Sequence, residues 1–204
     1  MNKGGVFIVA GPSGSGKDTL FKVLFKKRPD IKFSISSITR AMRVGEVEGE
    51  KYNFITREKF EDMLKNDELL EYNVYIGNYY GTPKAPVVAA IEKGEDILIE
   101  VDVNGAKSIR EKMPEAVSIF IMPPSYKELK RRLSGRGTES EEVIEKRMHE
   151  SLSEIARATE FDYIVVNDNL QKAVDDIIEI IQSSRLMLKR QKNLIDGVLN
   201  NVES

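Results

Sequence analysis

Gly11-Pro12-Ser13-Gly14-Ser15-Gly16-Lys17-Asp18 carries the strongest architectural signal in this chain. A short apolar run, Val6-Phe7-Ile8-Val9-Ala10, precedes it, and Leu20, Phe21, Val23, Leu24 and Phe25 follow at the spacing of a helix face. The succession is strand, glycine loop, helix. Glycines adopt backbone conformations closed to other residues, so successive N–H groups turn inward around a phosphate chain, and the helix N-terminus adds its partial positive charge. Lys17 then reaches the terminal phosphates. The spacing G-x-x-x-x-G-K is that of a P-loop, and the flanking strand and helix are the context this motif requires. A dinucleotide fingerprint fits less well, because Gly14-x-Gly16 lacks the third glycine. One position departs from the P-loop pattern: Asp18 stands where a Ser or Thr hydroxyl belongs.

Composition narrows what such a loop serves. A chain of 204 residues can bury a substantial core as one domain with small insertions. With 41% hydrophobic and 31% charged residues it reads as globular, and a net charge of -2 offers no single-sign field for nucleic acid. Zero cysteines exclude disulfides and thiolate metal sites, and a single histidine excludes a His-based zinc site, so any metal must sit on oxygen ligands. The first apolar run is too short for a signal sequence, and no stretch approaches the roughly 20 apolar residues of a membrane span. No membrane partner and a cytoplasmic location are expected.

Along the chain, residues 31–36 read as a second strand. From Ser36 through Arg40, Arg43, Gly45, Glu46 and Gly49 to Tyr52-Asn53-Phe54 the period is neither helical nor extended. Thr56 can cap a short helix carrying Phe60, Met63 and Leu64; residues 69–76 then read as strands before a Gly77-Asn78 turn, and a further helix spans 87–92. This region is expected to be an inserted subdomain with its own small sheet. The α/β alternation resumes with a strand at 97–102 ending in acids, a helix at about 105–113, a strand at 117–121 closed by Pro123-Pro124, and a helix capped by Ser125. Glu128, three residues after the cap, matches a capping box. Gly135-Arg136-Gly137-Thr138 precedes a long amphipathic helix with Val143, Ile144, Met148, Leu152, Ile155 and Ala156, a lid-like composition. Residues 163–166 form the last strand, and Asn167-Asp168 opens a helix from Leu170. Five core strands separated by helices point to an α/β fold with a mostly parallel five-stranded sheet in a three-layer P-loop arrangement, with a helical lid.

Phosphoryl transfer asks a protein mainly for positioning and charge stabilisation. Lys17 and the loop amides suit the β- and γ-phosphates of a donor. Arg136 and Arg147 are available to close over the moving group, with a solvated helix face as the alternative for both. Arg40 and Arg43 with Tyr52 and Tyr80 form a set of planar donors and phenols suited to an isolated dianionic phosphate. A phosphate acceptor has a second pKa of about 6, so it needs no strong base at neutral pH, which suits a chain whose one histidine, His149, reads as an exposed helical residue.

Taken together the chain resembles a guanylate kinase of the bacterial type over nearly its whole length. The resemblance is carried by 11–17, by Thr39-Arg40 with Arg43, Gly45, Glu46, Gly49 and Tyr52-x-Phe54, by Gly77-Asn78-Tyr79-Tyr80-Gly81-Thr82, by Asp102-x-x-Gly105, by Pro123-Pro124-Ser125, by Arg136-Gly137-Thr138-x-Ser140-Glu141-Glu142, and by Val166-Asn167-Asp168. It implies a single domain over 1–204 with a core (1–36, 95–125, 160–192), a GMP-binding subdomain (37–94) and a lid (about 126–159), followed by a helical tail (193–204). It implies transfer of the ATP γ-phosphate to GMP or dGMP with magnesium, in purine nucleotide metabolism. By resemblance, Arg40, Arg43, Tyr52 and Tyr80 hold the GMP phosphate, and Ser36, Glu71, Thr82, Glu100 and Asp102 lie around the guanine end. Gly11, Pro12, Ser13, Gly14, Ser15, Gly16, Lys17, Asp18 and Thr19 line the ATP side, Arg132, Arg136 and Arg147 resemble donor-side and lid arginines, and Asn167 with Asp168 lies near the adenine. Chemistry agrees for Glu71: guanine N1–H and its amino group both donate to one carboxylate, whereas adenine, with no N1–H, leaves that buried charge unpaired at a cost of a few kcal/mol.

A protein-interaction module on the same fold, or a kinase for another nucleoside monophosphate, stand as alternatives. The loop glycines and Lys17 oppose the first, and Glu71, Thr82 and the Arg40–Arg43 segment oppose the second.

Asp18 is the departure that matters. A carboxylate beside the phosphates is repelled by on the order of 4 kcal/mol for unit charges ~4 Å apart at an effective dielectric of ~20, and a bound magnesium ion offsets this. Asp18 is therefore expected to serve as a metal ligand; Thr19 supplying the hydroxyl is the alternative. At the C-terminal end Leu194, Ile195, Val198, Leu199 and Val202 recur at helical spacing and suggest self-association.

Overall fold

The central strand, β1 (Val6–Ala10), is buried at all five positions, as a strand covered on both faces must be. Its side chains alternate: Phe7 and Val9 join one apolar cluster, and Val6, Ile8 and Ala10 join another on the opposite face. The computed structural model of this chain describes residues 3–135 and 141–200. Around β1 runs a five-stranded sheet with β2 (Lys32–Phe33), β7 (Ile97–Glu100), β8 (Val117–Met122) and β9 (Tyr163–Val166), in the order β2-β7-β1-β8-β9. Every pairing in it is parallel. The expectation of a mostly parallel core is thus met by an all-parallel one.

Helices cover both faces. On one, α1 (Lys17–Lys27) and α7 (Leu170–Ser184) set Leu20, Leu24, Val174, Ile177 and Ile181 against Phe7, Val9, Ile119 and Ile121. On the other, α3 (Lys84–Glu92) and α4 (Val103–Lys112) set Val87, Ala90, Ala106 and Ile109 against Ile8, Ile97 and Ile99. Leu24, Ile99, Ile109 and Ile119 are fully buried, and each such side chain stabilises the fold by roughly 1.5–3 kcal/mol.

A second sheet lies between β2 and α3 in the chain. Its strands β3 (Ser36–Ile38), β4 (Tyr52–Phe54), β5 (Leu69–Tyr75) and β6 (Asn78–Pro83) run in the order β4-β3-β6-β5, and α2 (Arg57–Lys65) carries the buried Phe60 beneath it. Thr56 caps α2 by accepting from the Lys59 amide, as its position in the sequence predicts.

Several expectations are corrected. The strand expected at 31–36 is two: Lys32–Phe33 pairs with β7, while Ser36–Ile38 pairs with β4 and β6 in the other sheet. The apolar run was too short to show where the chain changes sheets. Asp102 caps α4, its Oδ1 accepting from the Gly105 amide at 2.7 Å, so the helix begins at Val103. Helix α3 likewise begins at Lys84. Asn169, not Asn167-Asp168, caps α7. The capping box is half made: in α5 (Tyr126–Ser134) Ser125 accepts from the Glu128 amide, but the Glu128 carboxylate turns to Arg131 and Arg132, because a charged partner binds it more strongly than a backbone amide. Helix α6 (Glu141–Ala156) packs on α5 through Met148, Leu129 and Leu133, and α8 (Leu188–Asn200) follows α7. Arg136 lies outside the described residues.

Candidate active site

The loop between β1 and α1 sits at the carboxyl end of the sheet. Gly16 has φ +90°, and a Cβ there would stand 2.5 Å from Asn167 Nδ2; Gly14, at φ +83°, is closed in by Leu129 and Leu133 of α5. The backbone therefore favours glycine at both positions, and at Gly16 the close approach of Asn167 adds to it. The loop is braced from below: Asn167 Nδ2 donates to the Ser15 carbonyl at 2.8 Å, and Arg132, held by Glu128, donates to the carbonyls of Ser15 (3.2 Å) and Asn167 (2.9 Å). Arg147 of α6 donates to Ser13 Oγ at 2.6 Å from the other side. Lys17 turns its ammonium onto the Gly11 and Pro12 carbonyls and Ser15 Oγ. Burial lowers its pKa, with Glu100 the largest opposing influence. A pocket of about 400 Å³ opens here, lined by Pro12, Ser13, Gly14, Gly16, Lys17, Asp18, Thr19, Glu100 and Arg132.

A second cavity, of about 450 Å³, adjoins it and shares Lys17 and Glu100. Arg40, Arg43, Tyr52 and Tyr80 line it together with Ser36, Glu71, Glu100 and Asp102. Arg40 forms a bidentate pair with Glu46 (2.7 and 2.5 Å) and lies 5.4 Å from the Tyr52 ring centroid and 5.6 Å from that of Phe54. This pairing, with the Arg43 amide, holds the Glu46 carboxyl down at about 2, and the Arg40 pKa is raised in return, first by Glu46. Tyr52 and Tyr80 meet edge to face at 6.5 Å, and burial raises the Tyr52 pKa. Glu71 is 9% exposed and accepts from Thr82 Oγ1 at 2.6 Å. Burial, with the nearby Asp102 carboxylate adding to it, pushes its pKa up to about 7. Asp102 accepts from Asn73 Nδ2 at 2.6 Å through the oxygen not used in capping.

Between the two cavities stands Lys51. Its ammonium lies 2.6 Å from Asp18 Oδ1 and 3.1 Å from Glu100 Oε2. Burial works against that charge, yet Glu100 and Asp18 raise the Lys51 pKa well above its ordinary value. The arrangement tests whether a metal ion suits the site: two carboxylates on the rim of the P-loop pocket already converge on one cation. Among the described residues no group of three or more acids or histidines gathers. That donor set fits an ion such as magnesium, which takes one or two carboxylates and draws its other ligands from phosphates and water.

The residues expected around the loop and those expected around the acceptor thus meet across one cleft. Thr82, expected around the guanine end, is buried behind Glu71, donates to its carboxylate and lines neither cavity. Asn167 is buried beneath the loop, while Asp168 is exposed and outside the lining of both cavities. His149 is exposed on α6. Sequence reading missed Lys51, Asn73 and Glu154. Asn73 was accessible to it, since Glu71, Asn73 and Tyr75 alternate along β5 and line the same cavity. Glu154 follows Arg147 by seven residues, on the same face of α6. Lys51 carries no local signal.

The guanylate kinase family model matches residues 3–184 of this chain. A curated guanylate kinase of Carboxydothermus hydrogenoformans is 45% identical over 190 residues, 93% of each chain. One of Escherichia coli is 43% identical over 204 residues, 99% of each. The crystal structure of guanylate kinase from Anaplasma phagocytophilum is similar with a TM-score of 0.75 and 33% identity, over 93% of this chain and 90% of that one. A sequence match of that extent, together with relatives alike from end to end, makes this chain a member of the guanylate kinase family of phosphotransferases.

Proposed function

We propose that the chain transfers the γ-phosphoryl group of ATP directly to the phosphate of GMP or dGMP. The observation that carries this reading is the joined cleft, in which Arg40 and Arg43 face the cavity that Lys17 also lines. The loop amides and Lys17 bind the β- and γ-phosphates. Arg40, Arg43, Tyr52 and Tyr80 bind the acceptor phosphate, with Arg40 aimed by Glu46 and by the two rings below it. The acceptor oxygen is already largely ionised near neutral pH, so no side chain has to remove a proton from it. Arg43, Arg147 and Arg136 meet the charge that spreads over the moving group. Ionised Glu71, steadied by the Thr82 hydroxyl behind it, accepts from guanine N1–H and the amino group, while Ser36 donates toward O6 or N7. Closure around the two nucleotides excludes water, which otherwise competes as acceptor.

Asp18 with Glu100 would hold a magnesium ion, which would supply positive charge to offset that of the phosphates. Asn167, Asp168 and Arg132 lie toward the adenine end. The activity serves purine nucleotide recycling in the cytoplasm; among the described residues no helix is long and apolar enough to cross a membrane. Nucleic acid is not a partner. A second copy of the chain is, through α8, where Leu188, Leu194, Val198 and Leu199 are exposed. A coupled assay offering GMP, AMP, UMP and CMP with ATP tests the central reading. GMP alone is expected to support rapid turnover; turnover with AMP alone, or with none of the four, overturns it.

A further inference from the structure

The P-loop motif carries a hydroxyl directly after its lysine, and this chain carries Asp18 there, facing a lysine 33 positions on in a different part of the fold. Lys51 precedes β4 and lines the acceptor cavity, whereas Asp18 belongs to α1 and lines the P-loop pocket. Their charges meet at 2.6 Å, and the same ammonium reaches Glu100, the acid lining both cavities, at 3.1 Å. Glu100 is the most enclosed of the three, its side chain 17% exposed against 41% for Lys51 and 68% for Asp18. Residues from three separate parts of the fold thus meet at the junction of the two cavities.

We infer that Lys51 is a positioning residue for the donor nucleotide, acting through Asp18: it offsets the carboxylate that this chain places beside the phosphates and holds that carboxylate at the rim of the P-loop pocket. The inference rests on the phosphoryl-transfer reading above. Three negative groups otherwise crowd one small volume: Asp18, Glu100 and the triphosphate. One magnesium ion bound to the nucleotide does not cancel them all, and the ammonium supplies a further positive charge without a further ligand. Asp18 and Lys51 then form one functional unit in place of the single hydroxyl of the general motif. Removing the lysine alone is harmful because it takes away a positive charge that offsets the acid beside the phosphates, and restoring the hydroxyl makes the lysine dispensable. An ion pair that only supports the fold behaves differently: its loss shifts unfolding and leaves nucleotide affinity alone.

A double-mutant cycle decides between them. Wild type, K51M, D18S and D18S/K51M are compared by calorimetric binding of a non-hydrolysable ATP analogue across a magnesium titration, by the KM for ATP and kcat with GMP, and by thermal unfolding without nucleotide. K51M is expected to weaken analogue binding and raise the ATP KM about tenfold with a smaller change in kcat, and to require more magnesium for half-maximal binding. D18S/K51M is expected to recover wild-type affinity to within about twofold. Equal effects of K51M in the wild-type and D18S backgrounds overturn the inference, as does an unchanged affinity in K51M with a lowered melting temperature. A wild-type chain that binds the analogue but phosphorylates no GMP fails the function proposed above, and the binding arm still tests the pair.

Discussion

Glu71→Gln probes how this site balances stability against recognition. The Glu71 carboxyl is buried, bonded to Thr82 at 2.6 Å and close to Asp102, and its pKa rises from the ordinary 4.5 to about 7. An acid whose pKa is raised on folding binds its proton more tightly in the folded chain than in the unfolded one. Its contribution is therefore most favourable below about 4.5 and is lost as pH climbs toward 7, beyond which the loss is constant. At about 1.36 kcal/mol per tenfold change, the whole loss is about 3 kcal/mol, most of it between about pH 4.5 and pH 7. A neutral glutamine, still able to accept from Thr82, escapes it. Urea or thermal unfolding of both proteins is expected to show Glu71→Gln about 1 kcal/mol more stable than wild type at pH 5 and about 3 kcal/mol more stable at pH 8, roughly 6–12 °C in melting temperature for a domain of this size. Guanine recognition moves the other way. Only the ionised carboxylate accepts two donors, so wild-type GMP affinity is expected to weaken toward pH 6, whereas Glu71→Gln binds weakly throughout and keeps only the pH dependence of the GMP phosphate itself. A stability gap of the same size at pH 5 and pH 8 would falsify the burial argument, and undiminished GMP affinity in the variant removes Glu71 from guanine recognition.

Lys17→Ala is expected to lower kcat by at least a hundredfold while GMP still binds, because the proposed reading has its ammonium serve the donor phosphates; near-normal turnover by steady-state assay refutes that role. Ile76 and Gly77 turn the β5–β6 hairpin with φ +48° and +73°, and Ile76 is 79% exposed, so its branched side chain bears strain without packing in return. Ile76→Asn is expected to raise stability by about 1 kcal/mol, read as a 2–4 °C gain in melting temperature, with unaltered turnover; a loss instead shows that the side chain packs on a partner. Truncation after Arg190, which keeps the Arg190 bonds to Ser184 and Lys3, removes most of the exposed stripe of α8. Light scattering is expected to show a drop in mass, and an unchanged mass counts against self-association there.

Features with local causes were legible along the chain. The five buried positions of β1, the glycine loop and the amphipathic helix after it need only neighbouring residues to specify them, and so do the caps at Thr56 and Ser125. The set of Arg40, Arg43, Tyr52 and Tyr80, proposed above to bind the acceptor phosphate, was legible as chemistry, though nothing in the order of residues gave its distance from Lys17. Folding in three dimensions set that distance, the switch of sheets between Phe33 and Ser36, the bracing of Ser15 by Asn167 from 152 residues away, and the pairing of Asp18 with Lys51. Asp18, which from sequence was expected to serve a metal ion, has a lysine from the approach to β4 beside it. The division has one physical reason. Backbone preference and hydrophobic period act over a few residues, whereas the partner of a charge and the water left around a carboxylate such as Glu71 depend on which remote segments the packed core brings together.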